Sequence, residues 1–323
     1  MAIENFKKSV QLKPTCVSSY INLANSYKEK KDIDSALNTY NQALEINLDI
    51  PEIYIKKGEI YEQIEDFDRA LANYQKAIEV DPNSVEAFRS LATFLKNRGE
   101  IDEAIAYFSK LLSINKEDID ALEERAKLYL QRDKFDLAVI DYRSLLPLRT
   151  KETTEIGKIE ARLLLLNISG ESIKREKNEI GLEFSDKYIQ LFPKDDLGYV
   201  YRATFLEKQN KIDLAIESLS QAIRLKVDNA TYYQHRSTLW GKTGKLDKAL
   251  EDVDQAIRLK PNEADFYETR SKIYEESGNL ELAIKSIEKA IEVSKSSLYK
   301  SIFQHKLDGL KAKIKTLNDK SNK

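Results

Sequence analysis

Residues 17–50 read VSSYINLANSYKEKKDIDSALNTYNQALEINLDI and contain two amphipathic helical patterns. The apolar residues of the first pattern recur at the spacing of one face of a 3.6-residue helix: Tyr20, Leu23, Ala24 and Tyr27. After a short charged break, a second pattern runs through Ala36, Leu37, Tyr40, Ala43 and Leu44. The stretch therefore predicts two helices of about 13 residues each, packed against one another.

The same arrangement recurs along the chain with a period of 34 residues. Its clearest marker is an alanine in each second helix: Ala36, Ala70, Ala104 and Ala138, then Ala215, Ala249 and Ala283. The two series are separated by 77 residues, which is two periods plus nine residues. Self-similarity at this period is typical of an array in which one supersecondary unit repeats and buries its apolar face on its neighbours.

Each first helix carries a small residue in phase with the repeat: Ala24, Gly58, Ala92, Ala126, Ala203, Ser237 and Ser271. Three residues further on, a large residue recurs: Tyr27, Tyr61, Leu95, Tyr129, Leu206, Trp240 and Tyr274. Small side chains let two helix backbones approach closely, and the large ones fill the space beside the crossing. We therefore expect the two helices of each unit to cross at the small residues.

These columns resemble the tetratricopeptide repeat. Residues 51–84 carry its pattern as Tyr54, Gly58, Tyr61, Ala70, Tyr74, Ala77 and Pro82, and residues 230–263 carry it as Tyr233, Trp240, Gly244, Ala249, Ala256 and Pro261. The resemblance covers seven units, or 238 of 323 residues, and departs from the family where arginine replaces the usual leucine, at Arg125, Arg202, Arg236 and Arg270. It implies an all-α, right-handed superhelical solenoid of antiparallel helix pairs whose first helices line a concave groove.

The register of the repeat divides the chain into five regions. They are the second helix of a partial repeat in 1–16, four repeats in 17–152, a divergent longer unit in 153–195, three repeats in 196–297, and a C-terminal capping helix and tail in 298–323. In the divergent unit, an amphipathic helix is predicted through Ile156, Ile159, Leu163 and Leu166, and a charged loop near residues 171–179. The extra length is either a tolerated insertion or a bend or partner contact.

The two ends of the chain each leave an alternative open. One face of the tail is apolar and carries Phe303, Leu307, Leu310, Ile314 and Leu317. The opposite face is rich in lysine. A terminal capping helix needs such a division, and the alternative is a basic helix that docks on an acidic partner or a membrane surface. The N-terminus begins in mid-repeat, so the chain is either a fragment or meets another chain at this end.

The composition excludes several classes of protein. Lys and Arg number 52 against 54 Asp and Glu, which gives a net charge of -2. This balance argues against a nucleic-acid-binding protein or an anionic-membrane protein, since both depend on excess positive charge. Cys16 is the only cysteine, and neither a secretory signal nor an apolar run long enough to span a membrane is visible. We expect a cytoplasmic protein.

The sequence gives no sign of catalytic chemistry. His235 and His305 are the only histidines, and neither has a second histidine or a cysteine at metal-ligand spacing. Gly241-Lys242-Thr243 imitates the end of a phosphate-binding loop, but Arg236 stands where that motif needs a glycine. We therefore predict that the chain is not an enzyme and that it has no cofactor and no metal site.

One known site of the family clamps the C-terminal carboxylate of chaperone tails. It uses Lys and Asn in one repeat, Asn in the next, and Lys and Arg in the third. The matching positions hold Ile21, Asn25, Lys56, Glu86 and Ser90 in the first possible window, and Val200, Thr204, His235, Asp265 and Thr269 in the last. Only Asn25 fits, and acids at clamp positions repel a carboxylate. Chaperone-tail binding of this type is not expected.

The resemblance places a chemically mixed set of side chains along the groove: Asn25, Lys28, Ile55, Glu59, Glu62, Arg89, Thr93, Lys96, Glu123, Lys127, Gln234, Thr238, Glu268 and Lys272. Acidic and basic repeats alternate over 51–152, which suits an extended peptide or a helix with mixed charges. The leading hypothesis is a non-catalytic scaffold that binds a peptide or partner protein along the groove. The alternatives are a structural subunit packed into a larger assembly through its convex face or ends, and an auxiliary module of an enzyme complex.

Overall fold

The computed structural model describes residues 2–151 and 154–321. These residues form eighteen α-helices and no strand. The chain divides into two compact units, Met1–Lys158 and Ile159–Lys323. The all-α prediction of antiparallel helix pairs is confirmed.

The first unit contains α1 (Ala2–Leu12), α2 (Val17–Glu29), α3 (Ile33–Ile46), α4 (Pro51–Gln63), α5 (Phe67–Val80), α6 (Val85–Asn97), α7 (Ile101–Ile114), α8 (Ile119–Gln131) and α9 (Phe135–Lys151). Within it, α2–α3, α4–α5, α6–α7 and α8–α9 form pairs. The second helix of a pair also packs on the first helix of the next pair, as α3 does on α4, α5 on α6 and α7 on α8. Each pair thereby covers the apolar face of its neighbour.

The second unit follows the same plan. α10 (Glu155–Lys174) begins in the first unit and ends in the second. The helices that follow it are α11 (Asn178–Leu191), α12 (Asp196–Lys208), α13 (Ile212–Leu225), α14 (Ala230–Lys242), α15 (Leu246–Leu259), α16 (Ala264–Glu276), α17 (Leu280–Val293) and α18 (Ser297–Ser321). The pairs α12–α13, α14–α15 and α16–α17 stack through α13 on α14 and α15 on α16, and α18 packs on α17. All seven marker alanines, from Ala36 to Ala283, are fully buried in the two units.

The turn inside each pair has one backbone conformation. The residue in the left-handed region recurs every 34 residues on either side of the irregular middle: Lys31, Glu65, Gly99 and Asp133, then Glu176, Asn210, Gly244 and Gly278. The next residue's N–H donates back to the last turn of the first helix, for example Asp32 N to Tyr27 O at 3.0 Å. This bond satisfies a carbonyl that the end of the helix leaves free.

The unit predicted to be divergent, 153–195, is more regular than expected. Residues 162–174 of α10 and the whole of α11 stand 34 residues before α12 and α13. The extra residues lie before this repeat, where 155–161 extend α10 at its N-terminal end. The predicted boundary between residues 152 and 153 lies outside the described residues.

The charged loop predicted near residues 171–179 is present but shorter than expected. Glu171 to Lys174 belong to α10, and only residues 175–177 connect it to α11. The Glu171 carboxylate pairs with Lys174 at 2.8 Å and with Arg175, three and four residues further on. Charges at this spacing stabilise a helix, which explains why a highly charged stretch continues α10.

The C-terminal helix covers the last pair. Phe303, Leu307 and Leu310 are buried in a cluster with α17, whereas Leu317, predicted for the same stripe, is exposed. Lys306 and Lys313 form ion pairs with Glu268 and Glu275 on α16, at 3.5 and 3.0 Å. Among the described residues, every helix is too short or too polar to cross a lipid bilayer.

Candidate partner-binding face

The predicted groove residues lie on the first helices of their pairs, with one set in each unit. α2, α4, α6 and α8 carry the first set, and α14 and α16 carry the second. We call this side of the first helices the groove face. Ile55 does not belong to it, because its side chain is buried in the core. The partners of the remaining residues decide what those residues can bind.

Glu59 on α4 accepts hydrogen bonds from two lysines. Lys28 Nζ on α2 lies 2.6 Å from Glu59 Oε2, and Lys56 Nζ lies 2.8 Å from Oε1. Burial acts to raise the pKa of Glu59, but the two ammonium groups outweigh it and hold the pKa below its usual value. The carboxylate is therefore charged and already neutralised by its neighbours.

The basic residues of α6 are bound to acids of the next pair. Arg89 forms an ion pair with Asp118, whose other oxygen caps α8 by accepting from Ala121 N at 3.0 Å. Lys96 Nζ lies 2.8 Å from Glu124 Oε2 on α8. The positive charge predicted for this repeat is thus neutralised within the protein.

The acid of α8 is also paired. Glu123 accepts from Lys127 at 2.8 Å and from Arg149 on α9 at 2.6 Å. Burial acts to raise its pKa, and the bonds from Lys127 and Arg149 hold the pKa below its usual value. The alternating acidic and basic repeats predicted for 51–152 therefore include many charges that bond within the chain.

In the second unit the predicted groove residues are also bonded within the protein, but fewer of them are charged. Gln234 Nε2 donates to Thr269 Oγ1 at 3.2 Å and so links α14 to α16. Thr238 Oγ1 donates to the backbone carbonyl of Gln234 at 3.1 Å. Glu268 pairs with Lys272 at 2.9 Å and with Lys306 on α18 at 3.5 Å.

A cluster on α12 and α14 was not predicted as a groove site. Glu207 Oε2 lies 2.6 Å from His235 Nε2, and Glu207 Oε1 lies 2.6 Å from Lys242 Nζ. The hydrogen bond from His235 is the largest cause, and with Lys242 it lowers the pKa of Glu207 to about 2, against the effect of burial. Because Glu207 and His235 are 28 residues apart, helical spacing within one repeat gives no signal for this contact.

Other predicted groove residues bond inward to their own pair. Tyr40 Oη donates to Asn25 Oδ1, and Tyr74 Oη donates to Glu62 Oε2 at 2.9 Å. Thr93 is half-buried. The bonds of Asn25 and Glu62 hold the first and second helices of their pairs together, and part of the polar capacity of these two side chains is used in doing so.

The Gly241-Lys242-Thr243 sequence, which imitates a phosphate-binding loop, has a structural role. Gly241 and Lys242 end α14, with Thr243 as its C-cap, and Lys242 is bound to Glu207. Within residues 2–151 and 154–321, no three His, Cys, Asp or Glu side chains are grouped so as to hold a metal ion.

An exposed apolar row lies along α10. Ile156, Ile159 and Leu163 are 69%, 55% and 56% exposed, and the row continues through half-buried Leu166 and Ile173. This orientation was not expected, because the sequence pattern placed these residues on the face that packs. The buried residues of α10 are instead Gly157, Ala161, Leu165 and Ile168, together with Ser169 and Ser172. A helix that is apolar on more than one side gives no clear signal of which side is buried.

The four arginines that depart from the family pattern share one arrangement. Each guanidinium bonds to a side chain 16 residues before it and to another 16 residues after it. One partner is always an aspartate and the other a serine: Ser109 and Asp141, Asp186 and Ser218, Ser220 and Asp252, and Asp254 and Ser286. Each arginine therefore ties its own helix to the second helices of two pairs.

The stacked helix pairs, their common turn and their buried small residues define a helical-repeat protein. Family models for the tetratricopeptide repeat match residues 51–84, 73–106 and 264–297, and a further model for this repeat matches residues 24–65. The chain is a tetratricopeptide repeat protein. A search of curated proteins found no match to the sequence.

Solved structures with similar folds belong to proteins of low sequence identity. Yeast Tom70 is 12% identical over 97% of this chain and 92% of its own, with a TM-score of 0.46. A tetratricopeptide repeat protein from Parabacteroides merdae ATCC 43184 is 19% identical over 80% and 98%, with a TM-score of 0.39. YrrB, described as a TPR protein with an unusual peptide-binding site, is 17% identical over 72% and 97%, with a TM-score of 0.33. The family assignment rests on the repeat matches.

Proposed function

We propose that this chain is a non-catalytic scaffold that binds a segment of a partner protein on the groove face, with the apolar row of α10 as the anchor. The observation that carries the proposal is the exposure of Ile156, Ile159 and Leu163 at helical spacing. Exposed apolar side chains that form a contiguous row mark interaction sites more often than isolated ones do. The residues of the row are three to four positions apart, so the row suits a partner helix that has an apolar face of its own.

The pairing of the groove charges supports the same conclusion. Glu59, Arg89 and Glu123 are bound to residues of their own or neighbouring helices, so a charged ligand has to compete with existing ion pairs. Ion pairs exchanged in this way contribute little net free energy. Burial of one large aliphatic side chain, in contrast, contributes about 1.5–3 kcal/mol. The affinity is therefore expected to come from the apolar row, and the polar residues are expected to select the partner's orientation.

The same pairing argues against an acidic C-terminal tail as the ligand. Lys28 and Lys56 share the carboxylate of Glu59, so neither ammonium group is available without breaking a contact.

We propose that the protein is cytoplasmic, since its single cysteine, Cys16, suits a reducing compartment.

The second candidate is a structural subunit that packs into an assembly through α1. Phe6 and Val10 on α1 are half-buried, and Leu12 is 81% exposed. Tyr40 and Leu44, which stand 34 residues after Phe6 and Val10, are buried. In this proposal, the incompletely buried apolar face of α1 is the surface that contacts the assembly.

Selection from a displayed library of peptide segments tests the leading proposal. The bait is the full chain, compared with a variant carrying Ile159→Ser and Leu163→Ser and with a variant carrying Glu59→Gln, Arg89→Gln and Glu123→Gln. We expect the first variant to lose at least tenfold in affinity for the selected segments, and the second to lose less. The control variant, Lys76→Ala with Glu79→Ala, removes an exposed pair on the second helix α5 and is expected to bind normally.

Circular dichroism establishes that each variant is folded before the comparison is made. If both groove-face variants bind the same segments as the unchanged chain, the groove face is not the binding surface. If only the control variant loses binding, the partner contacts the second helices, and if none does, α1 becomes the site to test.

A further inference from the structure

α10 and α11, which stand 34 residues before α12 and α13, differ from the first and second helices of the other repeats at two positions. Ser172 stands where the other first helices carry a large side chain: Tyr27, Tyr61, Leu95, Tyr129, Leu206, Trp240 and Tyr274. Asn178 stands where the other second helices begin with a large apolar residue: Ile33, Phe67, Ile101, Phe135, Ile212, Leu246 and Leu280. Two large apolar side chains are therefore replaced by smaller polar ones in a single repeat.

The positions of Ser169, Ser172 and Asn178 converge in the repeats that follow. Their equivalents Ala203, Leu206 and Ile212 belong to one core cluster. In the next two pairs, the equivalents Trp240 and Leu246 share one cluster, and Tyr274 and Leu280 share another. The turn of α10–α11 has the same closing bond as its neighbour, because Lys177 N donates to Ser172 O and Lys211 N donates to Leu206 O, both at 2.9 Å.

The polar atoms at this place are buried and lack partners among the described residues. Ser169 and Ser172 are fully buried, and neither hydroxyl has a hydrogen-bond partner there; the same is true of Asn178 Oδ1. The equivalents of Ser169 behave differently, since Ser237 Oγ donates to Ala249 O at 2.6 Å and Ser271 Oγ donates to Ala283 O at 2.9 Å. Buried polar groups in native proteins nearly always have a partner, because leaving one unpaired costs free energy.

We propose that the buried polar atoms of α10 and α11 form a hydrated polar site, in which ordered water bridges Ser169 Oγ, Ser172 Oγ and Asn178 Oδ1. Three polar groups are enough for one buried water, which makes two to four hydrogen bonds. A water molecule takes up about 30 Å³ of liquid volume, less than the difference between a tyrosine and a serine side chain. Both hydroxyls can donate or accept, so water can satisfy them together with the acceptor oxygen of Asn178.

A crystal structure of the full chain, at a resolution that shows ordered water, tests the site directly. We expect density for one or two water molecules within hydrogen-bond distance of the three side chains. The proposal is wrong if the site is dry, if Asn178 turns to bond directly to Ser172, or if the density belongs to a larger molecule. The equivalent place beside Leu206 and Ile212 is the internal control, and it is expected to be dry.

A solution measurement uses variants that exchange the two kinds of interior. Ser172→Leu with Asn178→Ile copies the next pair, and Leu206→Ser with Ile212→Asn makes the reverse change one repeat later. The first double variant is expected to expel the water and raise the melting temperature by about 2–8 °C, and the second is expected to lower it. A lower melting temperature for the first variant would contradict the proposal, because replacing a hydrated polar site by the apolar side chains of the next repeat is expected to stabilise the chain.

Discussion

Arg236 and Asp252 form a two-point ion pair between α14 and α15. Arg236 Nε donates to Asp252 Oδ2 at 2.8 Å, and Nη2 donates to Oδ1 at 2.7 Å. Nη1 of the same guanidinium donates to Ser220 Oγ on α13 at 2.9 Å. Asp252 is buried and the arginine side chain is 19% exposed, so the pair is largely removed from water. The arrangement holds three helices of the second unit in register.

Changing Asp252 to Ala is expected to lower the free energy of unfolding by about 2–3 kcal/mol, because it leaves a largely buried guanidinium without its counter-charge. Urea denaturation of the full chain measures this loss. The matched control changes Arg236 and Asp252 to Leu together, and it should cost less than the single change, since no charge is then left unpaired. A double variant that loses as much stability as Asp252→Ala, or more, would show that the unpaired guanidinium is not the cause of the loss.

The Glu207 cluster makes stability depend on pH in the acid range. Its pKa in the folded protein is lowered to about 2 from 4.5, so the folded state favours the charged carboxylate. The resulting stabilisation is fully present above the unfolded pKa and is lost as the pH falls from about 4.5 towards about 2. The difference in urea midpoint between the unchanged chain and Glu207→Gln should therefore shrink steadily over this range. A difference that is constant with pH would contradict the low pKa.

Two glycines in neighbouring helices should respond in opposite ways to alanine. A Cβ at Gly181 on α11 would lie 2.1 Å from the ring of Phe205, which is fully buried, whereas a Cβ at Gly170 on α10 meets nothing within 4 Å. Gly181→Ala should lower the free energy of unfolding by about 1–3 kcal/mol through overpacking. Gly170→Ala should raise it by about 0.5–1 kcal/mol, because alanine is the better helix former. Thermal denaturation checks both, and equal effects would refute the close packing at Gly181.

The left-handed turn position gives a second matched comparison, between Glu65 and Gly99. They stand 34 residues apart with φ values of 60° and 79°. Glu65→Gly should stabilise the first unit by about 1 kcal/mol, because it removes a strained conformation for a residue with a Cβ. Gly99→Ala should destabilise it by a similar amount. Stability that falls in both variants would mean that the Glu65 side chain makes a contact worth more than the strain.

The repeat made the fold predictable. The spacing of Ala36, Ala70 and Ala104 locates the second helix of each of these pairs. A helix pair that repeats has few ways to bury its apolar face. The position of the extra residues was harder to predict. Glu171 and Lys174 look like part of a charged loop until their spacing of three residues is considered, and the structure shows that they stabilise α10.

The candidate site was only partly predictable. The family resemblance places Lys28 and Glu59 on the groove face, but they are 31 residues apart, and whether they meet depends on how two helices are rotated against each other. The role of Arg236 could have been found, because an acid and a serine stand 16 residues to either side of it. The exposed side of α10 could not, since Ile159 and Leu165 are equally apolar and only the packing decides which is buried.

Methyl NMR of the full chain with a selected partner segment tests the central claim most directly. Ile156, Ile159 and Leu163 on α10 and Leu214 on α13 are all exposed, so each can report contact with a ligand. We expect the methyl resonances of the three α10 residues to shift on titration, and those of Leu214 to stay in place. Shifts at Leu214 or at Leu12 on α1, with α10 unchanged, would contradict the proposal that the groove face holds the partner through its apolar row.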